Sequence, residues 1–254
     1  MTIKENNGKV AVITGAGTGI GKSAVLHLIQ DGYQVVLAGR REQPLNDTVQ
    51  ESGASEDRFL VQTTDVSKEE DVKKLFNVAM KKFQRVDVLF NNAGIGVKST
   101  TEDLSLSDWQ RVIDINLTGS FLCAKEAIQI MKNQNPLGGR IINNGSISAY
   151  VPRPDSVAYT STKHAISGLT KQISLDGRKY NIACSQIDVG NAATPMTATS
   201  DSGQPQPNGD VVPEPRFNVS HVGESILQIS NLPLDTNIQF MTIMATKMPY
   251  VGRG

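Results

Sequence analysis

The chain has 254 residues, 39% of them hydrophobic, a length and composition that suit one α/β core better than two small domains. Twenty-five Lys and Arg offset twenty-five Asp and Glu, so no global field draws the chain to nucleic acid or an anionic membrane, and any anion site must be local. The polar start, without a signal pattern, and the lack of any apolar run of membrane-spanning length lead us to expect a soluble cytoplasmic protein.

Seven short β-branched runs recur along the chain, at 10–14, 34–38, 59–62, 86–90, 140–143, 182–187 and 238–243. Between them lie stretches with helical spacing, among them 21–30, 69–83, 107–131 and 157–178. Over 69–83, Val72, Leu75, Phe76, Ala79 and Phe83 fall on one face with lysines opposite. Strands alternating with helices predict a single α/β domain over 1–254, a Rossmann-like, doubly wound, parallel seven-stranded sheet with helices on both faces. The segment 192–215 breaks the rhythm. It is rich in proline, glycine and polar residues, reads as a long loop, and makes 190–218 a candidate lid or substrate loop that is mobile without ligand. Cys123 and Cys184 sit in apolar stretches without metal or redox spacing and read as buried free thiols; the sequons at Asn116 and Asn218 are chance matches in an unsecreted chain.

After the first strand comes Thr14-Gly15-Ala16-Gly17-Thr18-Gly19-Ile20-Gly21, with a helix opening near Ile20. Glycines there permit a tight turn and let backbone amides and a helix N-terminus reach a phosphate, which predicts a pyrophosphate cradle. The spacing departs from G-x-G-x-x-G, because Ile20 stands where the third glycine belongs. The same stretch ends in Gly21-Lys22-Ser23 and admits a rival reading as the phosphate loop of a nucleoside triphosphatase or kinase. That reading falls short: Ala16 stands at its first glycine, and no later strand ends in a magnesium-binding aspartate, Asp87 lying inside its strand. Lys22 and Ser23 are then ordinary solvent-facing helix positions. The second strand runs into Gly39-Arg40-Arg41, where an NAD-binding domain would carry an acid for the ribose 2′-hydroxyl; two guanidinium groups suit a 2′-phosphate and favour NADP(H).

Tyr159 and Lys163 stand four apart on the helix opening near Val157 and so share a face. A phenol of pKa near 10 is a weak acid–base catalyst at neutral pH unless a nearby ammonium stabilises its phenolate. Ser146 follows a strand in Asn143-Asn-Gly-Ser146, thirteen residues before Tyr159, and Asn116 lies in the helical stretch Asp114-Ile-Asn-Leu.

With these residues in order, the chain resembles the ~250-residue short-chain dehydrogenase/reductases from Lys9 to about Met196. Thr14-Gly-x-x-x-Gly19-Ile-Gly21 is similar to that family's coenzyme turn, Asp65-Val66 to its adenine contact, Asn91-Asn-Ala-Gly94 to its fourth-strand signature, and Asn116, Ser146, Tyr159 and Lys163 to its catalytic tetrad. The resemblance implies that Tyr159 protonates the carbonyl oxygen in reduction and Ser146 hydrogen-bonds that oxygen. Lys163 lowers the Tyr159 pKa and grips the nicotinamide ribose, and Asn116 holds a water joining Lys163 to solvent. The family's thirteen-residue spacing selects Ser146 over Ser148. The expected NADP(H) contacts are Gly15, Thr18, Gly19, Ile20, Gly21, Arg40, Arg41, Asp65, Val66, Asn92, Ala93, Gly94, Tyr159, Lys163, Val189 and Thr194. Val189 departs from the pattern by replacing the proline of the family's Pro-Gly after the sixth strand.

The implied activity is hydride transfer between nicotinamide and a small carbonyl or alcohol substrate, such as a ketone, a keto-sugar or a 3-oxoacyl thioester. A homotetramer formed through 107–131 and 157–178 is also implied. Trp109 and Phe121 are expected in the core or a subunit interface. His27, His164 and His221 show no metal spacing, so no metal is assigned, although His164 adjoins Lys163 and can reach the site edge. The alternative outside enzymology is a catalytically silent NADP(H)-sensing regulator, which would have no need of the tetrad.

Overall fold

The computed structural model describes residues 3–251, with the backbone alone for 199–201; the first two and last three positions of the expected 1–254 unit lie outside the described residues. The chain runs β1 (Val10–Thr14), α1 (Gly19–Gln30), β2 (Gln34–Gly39), α2 (Glu42–Ser52), β3 (Phe59–Thr63), α3 (Glu69–Phe83), β4 (Val88–Asn91) and α4 (Leu106–Ile113). It continues through α5 (Gly119–Met131), β5 (Gly139–Asn144), α6 (Val157–Gly177), β6 (Ile182–Val189), a two-stranded ribbon of β7 (Gln204–Pro205) and β8 (Val211–Val212), α7 (Ser220–Asn231) and β9 (Phe240–Ile243).

Seven strands form one parallel sheet in the order β3-β2-β1-β4-β5-β6-β9. The branched runs take this form because they are apolar on both faces, and a strand with no polar face is stable only between two layers. In β1, Val10 and Val12 pack with α3 and α5, while Ala11 and Ile13 pack with α1 and α7. The predicted face of α3 is the buried one, Val72, Leu75, Phe76, Ala79 and Phe83, and full burial of each large side chain contributes roughly 1.5–3 kcal/mol. Both cysteines are buried and unpaired. Among the described residues no helix is long and apolar enough to cross a membrane.

Three local expectations are corrected. Ser23 is buried, because α1 packs on α7 and its hydroxyl donates to the Val219 carbonyl at 3.1 Å, while Lys22 pairs with Glu51. Asp87 precedes β4 and accepts the Val10 amide at 2.8 Å. Phe121, expected in the core or a subunit interface, is 49% exposed on α5, which leaves the second of those two placements. The expected helix over 107–131 is interrupted by one wide π-turn, Asp114–Thr118, which displaces the backbone around Asn116.

The segment read as a loop carries structure of its own. A 3₁₀ stretch, Pro195–Asp201, leads into the antiparallel β7–β8 ribbon, where Gln204 faces Val212 and Pro205 faces Val211. Its base is closed by Ala193 donating to the Phe217 carbonyl and Phe217 donating to that of Asn191. Beneath it, the fully buried Glu214 carboxylate accepts from Arg153 at 2.8 and 2.5 Å, from Asn191 at 2.7 Å and from Gln206 at 3.1 Å. Burial alone would raise the Glu214 pKa, but the hydrogen bonds from Arg153, Asn191 and Gln206 hold it at about 2. Glu214→Ala would leave a guanidinium and an amide facing a void. Urea unfolding is expected to show a loss of about 3 kcal/mol, with faster amide exchange at Gln206 and Gly209. Unchanged exchange at those amides would mean that the ribbon is held by something else.

Candidate active site

The strand order reverses between β1 and β4, so the connections leaving their carboxyl ends diverge and open a cleft at the sheet edge. The cleft has a volume of about 490 Å³, with the glycine turn at one end and Ser146, Tyr159 and Lys163 at the other.

At the glycine end, Gly15 has φ +65°, and a Cβ there would lie 2.9 Å from Asn92 Nδ2; a Cβ at Gly21 would lie 2.2 Å from the Gly15 carbonyl oxygen. Only glycine permits so tight a return of the chain. The Thr18 side chain does not cap α1, so the first-turn amides are left for an anion in the cleft. Asn92 clamps the turn: its side chain donates to the carbonyls of Thr14 and Gly15 at 2.9 and 3.2 Å, and the amides of Asn92 and Ala93 donate to Thr14 Oγ1. An uncapped helix start, a cradle that a Cβ would fill and adjacent cationic side chains fit a phosphorylated dinucleotide.

Of the expected coenzyme residues, Thr18, Gly19, Ile20, Ala93, Gly94, Val189 and Thr194 line this cleft with Gly15 and Asn92. Arg40 and Arg41 lie exposed at its mouth after β2, and among the described residues no carboxylate pairs with either. Asp65 and Val66 line the same end. Asp65 is turned toward its own loop, accepting from the Ser67 amide and hydroxyl, and Val66 is buried against Gly119. Gly21 does not line the cleft and acts behind it, by its close packing on Gly15.

At the other end, α6 carries Tyr159 in its first turn and Lys163 one turn on, with Lys163 Nζ 5.4 Å from the Tyr159 ring centroid. Lys163 is buried and donates to the Asn144 carbonyl at 2.6 Å, which fixes the ammonium beside the end of β5. The Tyr159 and Ser146 side chains both line this end of the cleft, and Ser146 lowers the proton affinity of the phenol. Ser146 Oγ also receives the Ser148 amide at 3.1 Å, which separates the two serines: Ser148 orients Ser146 through its backbone. Asn116 is buried outside the cleft lining. Its side chain holds both the amide and the carbonyl of Ile95 at 2.9 Å and donates to Thr162 at 3.2 Å, so it braces the β4 loop against α6. His164 is exposed and does not line the cleft.

The electrostatics differ in one respect from the expectation that Lys163 lowers the Tyr159 pKa. Burial raises the phenol above its ordinary value, and the lowering influences of Ser146 and Arg153 do not reverse it. Burial likewise pulls Lys163 down to about 8, opposed by the charge of Asp188. A buried phenol that keeps its proton beside a hydroxyl donor is a competent acid toward a carbonyl oxygen.

Three residues here escaped sequence reasoning. Arg153 and Lys98 line the cleft, Lys98 reaching Gln204 of the ribbon at 3.5 Å. Asp188 is buried behind Ser146 and accepts the Ser146 amide at 2.9 Å. An acid within the buried strand β6 was the available signal, since a buried charge requires partners.

The sequence profile of the short chain dehydrogenase family matches residues 9–205. The chain is 36% identical over 195 residues to the 3beta-hydroxysteroid dehydrogenase of Mediterraneibacter gnavus, covering 76% of this chain and 69% of that protein. Its fold superposes with a TM-score of 0.82 on the 3-ketoacyl-(acyl-carrier-protein) reductase of Brucella melitensis, solved with NADH, at 27% identity over 93% of this chain and 97% of the other. The alcohol dehydrogenase of the archaeon Thermococcus sibiricus, solved with 5-hydroxy-NADP, superposes at 0.78 with 25% identity over 92% and 95%. With this cleft, this strand order and these likenesses, the chain belongs to the short-chain dehydrogenase family of nicotinamide-dependent oxidoreductases acting on small molecules.

Proposed function

We propose that the chain is an NADP(H)-dependent carbonyl reductase, running in reverse as an alcohol dehydrogenase. The observation that carries this reading is Tyr159 and Ser146 brought together beside the buried Lys163, at one end of a cleft whose other end suits a pyrophosphate. The preference for NADP(H) rests on Arg40 and Arg41, exposed where an acid would serve NAD(H).

The nicotinamide coenzyme supplies the hydride. The protein's own groups bind, orient and move the proton. Ser146, oriented by the Ser148 amide, directs its hydroxyl hydrogen to the substrate oxygen; Tyr159, whose raised pKa keeps it protonated at neutral pH, donates its proton to that oxygen. Lys163 would hold the ribose of the coenzyme, and Asn116 braces the β4 loop against the helix that carries Lys163. The 190–218 segment serves as a lid: Met196 is 60% exposed on it, and closure would bring it over an apolar substrate. The substrates are ketones, keto-sugars or 3-oxoacyl thioesters, and the likeness to the M. gnavus enzyme adds 3-oxosteroids to that set. We assign a cytoplasmic homotetramer, formed where α4–α5 and α6 expose Leu106, Phe121 and Leu175.

Three outcomes test the reading. NADPH is expected to bind at least tenfold tighter than NADH, about 1.4 kcal/mol, with Arg40→Asp reversing the order; equal dissociation constants in the unaltered protein would remove the basis for NADP(H). Tyr159→Phe is expected to lower turnover by orders of magnitude with NADPH affinity nearly unchanged, whereas Lys163→Ala reduces both. A Tyr159→Phe variant that keeps most of the rate would exclude the assigned acid. Saturating NADPH is expected to slow amide exchange in the 192–212 segment, most strongly near Thr194 and fading toward Pro207; no change with coenzyme and substrate together would leave the lid without a role.

A further inference from the structure

We propose that Asp188, at the end of β6, is a positioning residue of this active site: its buried carboxylate anchors the backbone of Ser146 and sets the field in which Tyr159 and Lys163 work. The inference deepens the carbonyl-reductase reading and rests on it for the identity of the working groups.

Along β6 the side chains alternate. Ile187 and Val189 pack into the core on the side of α1 and α7, so Gln186 and Asp188 are directed to the other face, which α6 covers. Asp188 has no exposed surface. Its Oδ1 accepts the Ser146 amide at 2.9 Å and Gln186 Nε2 at 2.7 Å, and its Oδ2 accepts the Tyr150 hydroxyl at 3.0 Å. Gln186 in turn donates to Ser167 of α6 at 3.0 Å, so the carboxylate is tied to the helix that carries Tyr159 and Lys163. The turn before Ser146 is shaped to this carboxylate. A Cβ at Gly145 would lie 2.0 Å from Asp188 Oδ1, so no side chain fits there while Asp188 holds its place.

Three donors satisfy a charge that burial would otherwise disfavour, and burial still pushes the Asp188 carboxyl above the usual carboxylate range. The groups that face it are Lys163 and Tyr159 from α6, Ser146 and Tyr150 from the segment after β5, and Gln186 from its own strand. Arg153 acts on Tyr159, and Tyr250 acts on Tyr150 from the C-terminal segment. The Asp188 charge raises the proton affinity of both Tyr159 and Lys163, and so holds the pair in the protonated form that reduction needs.

Asp188→Asn keeps the shape and one acceptor while removing the charge. The alkaline fall of kcat/KM for carbonyl reduction is expected to move down by about one pH unit. The ring-carbon NMR titration of Tyr159, assigned by its loss in Tyr159→Phe, is expected to move with it and requires no substrate. Tyr150→Phe, at a half-exposed position that tolerates substitution, removes a donor that screens the carboxylate, so it should shift both readouts the opposite way and by less. Coincident titrations in the unaltered protein and in both variants would overturn the proposal, as would Tyr150→Phe alone leaving them unmoved if Asp188→Asn does not fold. A protein that reduces no carbonyl while its NMR titration shifts as stated would instead refute the reductase reading and leave the role of Asp188 standing.

Discussion

The pairing of β1 with β4 governs the site. Because these neighbours in the sheet are distant in sequence, the chain leaves their carboxyl ends in opposite directions, and the space between has to be stitched closed by side chains. Asn92 does this. It takes the Thr14 and Gly15 carbonyls, and Asn144 of the next strand donates to its Oδ1 at 2.9 Å. The same Asn144 offers its backbone carbonyl to Lys163, so the glycine turn and the ammonium are joined through two asparagines. A disturbance at the β1–β4 edge would therefore be felt at both ends of the cleft.

A second polar line runs behind the first. Asn91 donates to Asn143, Asn143 to Thr170, Thr170 to Gln186 and Gln186 to Asp188, crossing β4, β5, α6 and β6 through the apolar interior. Buried polar chains of this kind fix the relative height of strands and helix more sharply than apolar packing does. The groups proposed to be catalytic stand at the end of that line, so their geometry depends on residues well away from the cleft. Tyr159 keeps its proton through burial, and its charged neighbours adjust that tendency without reversing it.

Much of this was legible in the sequence wherever the information is local. The face of α3, the glycine turn and the four-residue step from Tyr159 to Lys163 are consequences of helical or strand spacing, and they stand where the spacing put them. What was not legible depends on contacts between distant segments. Glu214 meets Arg153 from 61 positions away, so a stretch that reads as a bare loop becomes a clamped ribbon. Ser23 looked solvent-facing because nothing in its own turn announces that α7 covers it. Asp188 meets Ser146 across 42 positions, and Val189 drew attention instead because it breaks a local pattern. The substitution of proline by Val189 leaves the backbone lining the cleft, with Gly190 donating to the Ile243 carbonyl at 2.8 Å.

The central claim is that Tyr159 and Ser146 receive a carbonyl oxygen while coenzyme hydride reaches the adjacent carbon. The most direct measurement is mass spectrometry of the product formed from a ketone and NADPH deuterated at C4 of the nicotinamide, in light water. The account predicts an alcohol carrying a single deuterium on its carbinol carbon, in one stereochemical configuration and from one of the two C4 positions. Product without deuterium from either C4-labelled coenzyme would contradict it.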